Sequence, residues 1–476
     1  MYCTGPVTRI NVKIDVLPDD VLLGIFDFYV KTFSLFLYPS RKGWTEAWQS
    51  LVHVCRRWRT LVFGSPRCLD LRLLCTPRTP ARNTLDVWPA LPLEIEGHMD
   101  PTSRMDNIIA ALGQSNRVCR VSLWSLADRQ LEQVLAAMQV PFPELAVLQL
   151  SSNGEALAVI PDWFLDGSAP RLRHFTLDGI PFPGLPKLLS SAARLVDLHL
   201  FRIPHSGYIS PESIVALISV LPRLEWLYLE FQSPQSRPDL ETRRSPLTKR
   251  SVIPALRSLH FKGVVEYLED LVTGIDAPQL DRMNINFFNQ IDFDTPRLAQ
   301  LINRTHKLEQ SDATVQFYNH SAFVGLSIGT FQIEISCGEP DWQLSSVEQV
   351  CNSFWYLLST VGDLYIEHHY SQLVWNDDAI ENTLWLQLLL PFTAVNSLSL
   401  SGEFAPGIAT ALQGLDGDRI TEVLPNLRNI FVKGLEPSGP FQEKIGQFVA
   451  ARQLSNHTIT ISDWTGHRRS QRKKVT

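Results

Sequence analysis

One six-residue pattern, apolar-x-x-apolar-x-apolar, recurs along most of this chain. It reads Val118-x-x-Val121-x-Leu123, Leu145-x-x-Leu148-x-Leu150, Leu172-x-x-Phe175-x-Leu177 and Leu195-x-x-Leu198-x-Leu200. It continues at Leu224-x-x-Leu227-x-Leu229, Leu256-x-x-Leu259-x-Phe261 and Leu280-x-x-Met283-x-Ile285, with late copies beginning at Val361, Val395 and Leu427. The first seven starts are 27, 27, 23, 29, 32 and 24 residues apart. Apolar residues two apart fit a strand, whose side chains alternate between faces. Several copies open on a proline turn, as in Pro170-Arg171-Leu172 and Pro222-Arg223-Leu224. Between the strands, residues 126–138 place Leu131, Val134, Leu135 and Met138 on one helical face. Residues 211–221 follow Ser210, a good N-cap, with Pro211 in the first turn, where its missing N–H costs nothing. A strand-plus-helix unit of this size cannot bury its apolar face alone, so neighbours stack and share one elongated core.

This pattern resembles the leucine-rich repeat, whose period is 20–29 residues. An ordinary α/β domain with several similar strands fits the same periodicity. The Asn or Cys that follows the strand in the regular repeat varies here, so the array is irregular. Residues 286–360 lack a clean unit; within them 313–327 and 330–336 read as strands, 347–358 as helix, and the whole as diverged repeats. Residues 91–95 read as a strand leading into the array. In each unit the side chains between and beside the last two apolar positions point to the open, concave sheet face. That face then carries Arg120, Ser122 and Trp124, then His174, Thr176 and Asp178, then Asp197, His199 and Phe201. It continues with Trp226, Tyr228 and Glu230, then Ser258, His260 and Lys262, then Arg282, Asn284 and Asn286. Trp, Tyr and Arg dominate interface hot spots, so Trp124, His199, Trp226, Tyr228, His260 and Arg282 are the candidate target contacts.

A different pattern precedes the array. Pro18 suits the first turn of a helix, and Asp19 and Asp20 suit its positive N-terminal end. Val21, Leu22, Ile25, Phe26 and Tyr29 then recur at helical spacing. Further on, Trp48, Leu51, Cys55, Trp58 and Val62 step by three and four as one helical stripe, widened by Val54 and Leu61 and ended by Gly64-Ser65-Pro66. Periodicity alone fits two core helices. The residue identities add more. Leu17-Pro18-Asp19-Asp20 with Ile25-Phe26, followed by Val54-Cys55-Arg56-Arg57-Trp58, resembles the F-box, in the style of fungal F-box proteins with leucine-rich C-terminal regions. The resemblance implies a contact with a Skp-type adaptor of a cullin–RING ubiquitin ligase. It assigns Leu17, Pro18, Leu22, Ile25 and Phe26, with Val54, Cys55, Trp58 and Leu61, to that contact or to the packing behind it. Residues 30–47 are longer and more aromatic than the link in a compact F-box.

The expected fold class is α/β: a small N-terminal helical F-box, then an irregular leucine-rich-repeat-like solenoid of alternating strands and helices. The expected divisions are an arm at 1–12, the F-box at 13–75 with its insert at 30–47, a linker and leading strand at 76–117, repeats at 118–462 and a basic tail at 463–476. The expected function is a substrate receptor of a Skp–cullin–F-box ligase, itself non-catalytic, with a non-ligase repeat scaffold as the alternative. Composition is consistent with this. Hydrophobic residues at 45% and charged residues at 19% belong to a folded chain. Without Arg468, Arg469, Arg472, Lys473 and Lys474, 38 basic residues face 49 acidic ones, a balance of −11 that argues against a nucleic-acid surface. The seven cysteines are scattered, as for reduced thiols in an intracellular protein. No long apolar run suggests a membrane span, and no leader pattern opens the chain. Phosphate-loop, dinucleotide, serine-hydrolase and zinc-protease motifs are missing, and the cysteines make no Cys-x-x-Cys pair, so no catalytic residue, cofactor or metal is expected. His368-His369 reads as polar surface.

Overall fold

The computed structural model describes residues 14–36, 47–78, 81–100, 102–154, 158–234, 250–289, 293–305, 312–326, 330–368, 382–415, 417–434, 440–455 and 457–464. The expected arm at 1–12, residues 37–46 of the insert, His369 and the tail from 465 lie outside them. The chain forms two compact units, Met1–Gln149 and Leu150–Thr476. Their division falls inside the array expected from 118 onward. Both units mix α and β structure, and the strands pair mostly in parallel.

The first unit begins with helices α1 (Asp19–Phe36), α2 (Ala47–Val52) and α3 (Arg56–Gly64). The single helix expected over 48–62 is in fact two. Cys55 is extended (φ −157°, ψ 171°) and its Sγ accepts a hydrogen bond from the Trp58 N–H at 3.5 Å, which starts α3 afresh. A side chain that caps the backbone competes with continuing the helix. Trp48 donates from its ring nitrogen to the Arg72 carbonyl at 3.0 Å. Its ring meets Trp88 at 5.1 Å and Phe63 at 6.0 Å, joining the helices to the strands beyond. Those strands, β1 (Leu73–Cys75), β2 (Leu93–His98) and β3 (Val118–Leu126), pair in parallel, with α4 (Ala81–Val87), α5 (Asp106–Leu112) and α6 (Asp128–Ala137) among them. Strand β4 (Val147–Ser152) lies at the division.

In the second unit the expected pattern becomes β5 (His174–Asp178), β6 (Asp197–Ile203), β7 (Trp226–Phe231), β9 (Ser258–Gly263) and β11 (Arg282–Phe287), and two short strands that the pattern did not mark, β8 (Ser251–Val252) and β10 (Ile275–Asp276), lie between them in the chain. The short β8 and β10 pair with each other, apart from the main sheet. Helices α7 (Leu185–Leu189), α8 (Pro211–Ser219), α9 (Val265–Gly274) and α10 (Pro296–Arg304) lie between strands. Ser210 does cap α8, accepting from Ser213 N–H at 3.3 Å. The apolar positions of each pattern are buried, and strands such as β7 and β11 alternate strictly, so one sheet face is covered and the other open.

The reading of 286–360 as diverged repeats is corrected. β12 (Asp312–Phe317), β13 (Ser321–Leu326) and β14 (Phe331–Ser336) form an antiparallel meander, and the strand order is β11-β14-β13-β12-β15. Three strands preserve direction: β14 runs parallel to β11, and β12 runs parallel to β15 (Asp363–His368). Alternating periodicity marks strands but carries no information on their neighbours or direction. Helices α11 (Pro340–Ser353) and α12 (Trp355–Leu358) follow the meander. Then come α13 (Asn382–Leu389), β16 (Ser397–Leu400), α14 (Ala405–Gln413), β17 (Asn429–Val432), α15 (Pro440–Leu454) and β18 (Thr460–Asp463), the strands again parallel.

Neighbouring segments are joined by polar side chains that helices send into adjoining turns. Asn107 bonds the Pro77 carbonyl and the Ala81 N–H. Gln130 bonds Ala127 N–H and the carbonyls of Asp100 and Ser103. Glu269 accepts from the N–H groups of Arg297 and Leu298, both at 2.9 Å, and so caps α10, whose own Thr295 does not. Burial raises the Glu269 carboxyl above its usual range, against the opposing pull of those two N–H bonds. Gln343 bonds the carbonyls of Tyr318 and Cys337, closing one end of the meander.

Candidate interaction surfaces

Helix α1 divides its apolar residues between two faces. Leu22 and Phe26 are fully buried, and the Phe26 ring lies 4.6 Å from that of Trp58. Of the residues given to the adaptor contact or to the packing behind it, these two are packing in this conformation. Cys55, Trp58 and Leu61 are half-buried, Cys55 as the cap of α3. Ile25 and Val54 are 43% and 59% exposed, and Leu17 and Pro18 are accessible at the start of α1. Two residues outside that assignment complete the exposed side. Val21, 43% exposed, precedes Ile25 by four and Phe28, 72% exposed, follows it by three, so they share its face. Arg57 pins the beginning of α1, donating to the Leu17 carbonyl and to Asp19 Oδ1, each at 2.6 Å.

In the first unit Trp124 is half-buried beside His98 in register. On the open sheet face of the second unit the register assembles rows across strands. Thr176, His199, Tyr228, His260 and Asn284 form one; His174, Asp197, Trp226, Ser258 and Arg282 form the next. The rings of His199 and Tyr228 meet edge-on at 4.3 Å, and those of Tyr228 and His260 stack at 5.0 Å. Phe201 adds a third contact, 5.8 Å from Tyr228. Arg282 lies over the Trp226 ring at 5.9 Å, within cation–π range. Two histidines are held by carboxylates: His260 Nε2 is 2.8 Å from Glu230 Oε1, and His174 Nδ1 contacts Asp197. Thus five of the six expected target contacts lie on two adjacent rows. The smaller expected residues Thr176 and Ser258 are instead buried under larger neighbours, and in the first unit Ser122 is buried against Gln149. Among the described residues no cluster of His, Cys, Asp and Glu could hold a metal ion. No described helix is long and apolar enough to cross a membrane.

The strand ends add a second layer of polar contacts. At Arg202 the β6–β7 register skips, and the residue adopts φ 46°. This turns its guanidinium onto Asp178 and the Ser152 carbonyl. In the meander, Gln316 donates to Glu367 at 3.0 Å and Asn286 to Glu334 at 3.1 Å, so this part of the face is satisfied internally.

His199 is the group most altered by this environment. Burial lowers its pKa below the ordinary histidine value; the charges of His174 and His260 push the same way, and Asp197 opposes them. Its Nε2 is buried without a hydrogen-bond partner among the described residues. The unfolded chain, with a pKa near 6.5, therefore takes up a proton that the folded ring resists. The stability contributed by neutral His199 is full above about pH 6.5 and is lost as pH falls through the folded value. Urea melts at pH 7.5, 6.5 and 5.5 should show a steeper acid loss for the native chain than for His199→Phe. Equal slopes would remove His199 as the cause.

No family model matches this chain, and no curated protein matches it. Among solved structures it is similar to the crystal structure of the leucine-rich repeat-containing protein LegL7 from Legionella pneumophila. The identity is 13%, the TM-score is 0.28, and the match covers 79% of this chain and 97% of that one. The fold described above rests on the strand pairing itself.

Proposed function

We propose that this chain is a substrate receptor of a Skp–cullin–F-box ubiquitin ligase, with a leucine-rich-repeat-like array as its target-binding part. The observation that carries the reading is the exposed apolar stripe Val21, Ile25 and Phe28 on a helix anchored by the buried Leu22 and Phe26. Contiguous exposed apolar surface on a folded chain marks a binding site. The stripe sits beside Leu17-Pro18, in the segment whose residues resemble the F-box, and Arg57 fixes its geometry. The open rows of aromatic and charged side chains on the second unit then hold a protein target. Catalysis is by proximity: the receptor raises the local concentration of a target lysine near a charged conjugating enzyme and forms no bond itself.

The test is complex formation with a purified Skp-type adaptor, followed by size-exclusion chromatography with light scattering. The native chain should form a one-to-one complex. Ile25→Ser with Phe28→Ser should weaken it at least a hundredfold while leaving the melting temperature within a few degrees, because both residues are exposed. A well-folded native chain that ignores the adaptor would sink the ligase reading and leave a repeat interaction scaffold.

A further inference from the structure

We infer that the strand-start edge of the second unit is a docking site for an acidic peptide segment. This deepens the proposed function, since it rests on the second unit being the target-binding part. Three successive repeats begin on the same turn. Leu172 N–H bonds the Ala169 carbonyl at 3.2 Å, Leu195 bonds Ala192 at 2.9 Å, and Leu224 bonds Leu221 at 3.2 Å. The third residue of each turn is an exposed arginine: Arg171, Arg194 and Arg223. Because the turns precede neighbouring strands β5, β6 and β7, the three sit in a line at steps of about 5 Å.

The line is extended by the strand starts. Exposed Arg173 and Arg257 lie in one backbone-bonded row, which runs Arg173, Val196, Glu225, Arg257, Asp281, and exposed Arg282 follows Asp281 as the first residue of β11. Among the described residues Arg173, Arg194, Arg223 and Arg282 form no ion pair, and Arg257 reaches Glu225 only at 3.9 Å. Arg171 has an interaction of its own and serves here only to continue the line. Like charges held this close repel, and a fold gains nothing from leaving them unpaired. A ligand with several carboxylates relieves that repulsion, and arginine forks match carboxylates in pairs.

The favoured ligand is a peptide and not a nucleic acid. The positive line is local, on a chain with 49 acidic residues against 43 basic ones. Asp197, Glu225 and Asp281 interrupt the same edge and would repel a continuous phosphate backbone. A peptide can leave uncharged residues opposite them, and the ring of Trp226 lies next to the row for an apolar neighbour.

Fluorescence anisotropy of a fluorescein-labelled hexaglutamate peptide, titrated with the full chain at low salt, tests the site. The variant joins Arg173→Gln, Arg194→Gln and Arg223→Gln. The native chain should bind the peptide, and the variant should bind at least tenfold more weakly with an unchanged melting temperature. No binding by the native chain, or equal binding by both, overturns the site. Tighter binding of a twelve-residue oligothymidine than of hexaglutamate, lost in the variant, overturns the peptide assignment. The adaptor assay separates this from the ligase reading. The arginine variant should bind adaptor normally, and the Ile25→Ser, Phe28→Ser chain should bind hexaglutamate normally.

Discussion

Replacing Arg452 with Leu is expected to destabilise the C-terminal repeats by about 2–4 kcal/mol, from two orphaned carbonyls at roughly 1–3 kcal/mol each, partly offset by relief of a buried charge. Arg452 is fully buried on α15. Its guanidinium donates to the carbonyls of Val423, Leu424 and Pro425, in the turn before β17. Its carbon centre lies 5.1 Å from the Phe448 ring. Burial lowers its pKa from the ordinary arginine value, the direction expected for a cation withdrawn from water. The turn it holds is strained, since Leu424 adopts φ 51°, a conformation that costs a residue with a side chain about 1–2 kcal/mol. Removing the guanidinium leaves the Val423 and Pro425 carbonyls unmet, while Leu424 keeps the Leu427 N–H at 3.1 Å, and frees that strain. Urea melts should show the loss, and hydrogen exchange should place it in β17, α15 and β18. A loss under 1 kcal/mol would mean that water satisfies the carbonyls. Arg452→Lys should recover only part of the stability, because one ammonium cannot span three carbonyls as a planar fork does.

Phe26→Ala is expected to cost about 3–5 kcal/mol in the first unit, as truncation of a fully buried aromatic does. Phe28→Ala, two residues away, is expected to cost less than about 0.5 kcal/mol, as an exposed substitution does. The contrast follows from α1 itself: Phe26 is 0% exposed against Trp58, and Phe28 is 72% exposed. Tryptophan fluorescence during denaturation reports the first effect, since Trp48 and Trp58 lie in this helical unit. Comparable losses at both positions would mean that Phe28 is packed in solution, and the bare stripe would no longer support an adaptor contact.

The strands were legible because their constraint is local. An apolar side chain at every second position reports a covered face whatever lies beside it, so Leu227, Leu229, Met283 and Ile285 were placed correctly. The α8 cap at Ser210 is equally local. The joining side chains left a weaker trace. Gln130 precedes Val134 by four, Gln343 precedes Val347 by four, and Arg452 follows Phe448 by four, so each sits on an inward helical face. A polar residue at an inward position signals a buried hydrogen-bond partner but does not identify it.

On α1 periodicity gave one broad stripe, Val21, Leu22, Ile25, Phe26 and Tyr29, and could not split it. The packing of α3 decided that Leu22 and Phe26 turn inward while Val21 and Ile25 remain bare. The strand order through the meander and the alignment of Arg194 with Arg223 were also decided only by tertiary structure. The sequence by itself determined which residues are apolar, at what period, and where turns and caps fall, because these follow from each residue's own backbone and its near neighbours. Partners distant in the chain came only with the fold, because a pairing between strands depends on both members and neither carries the other's position.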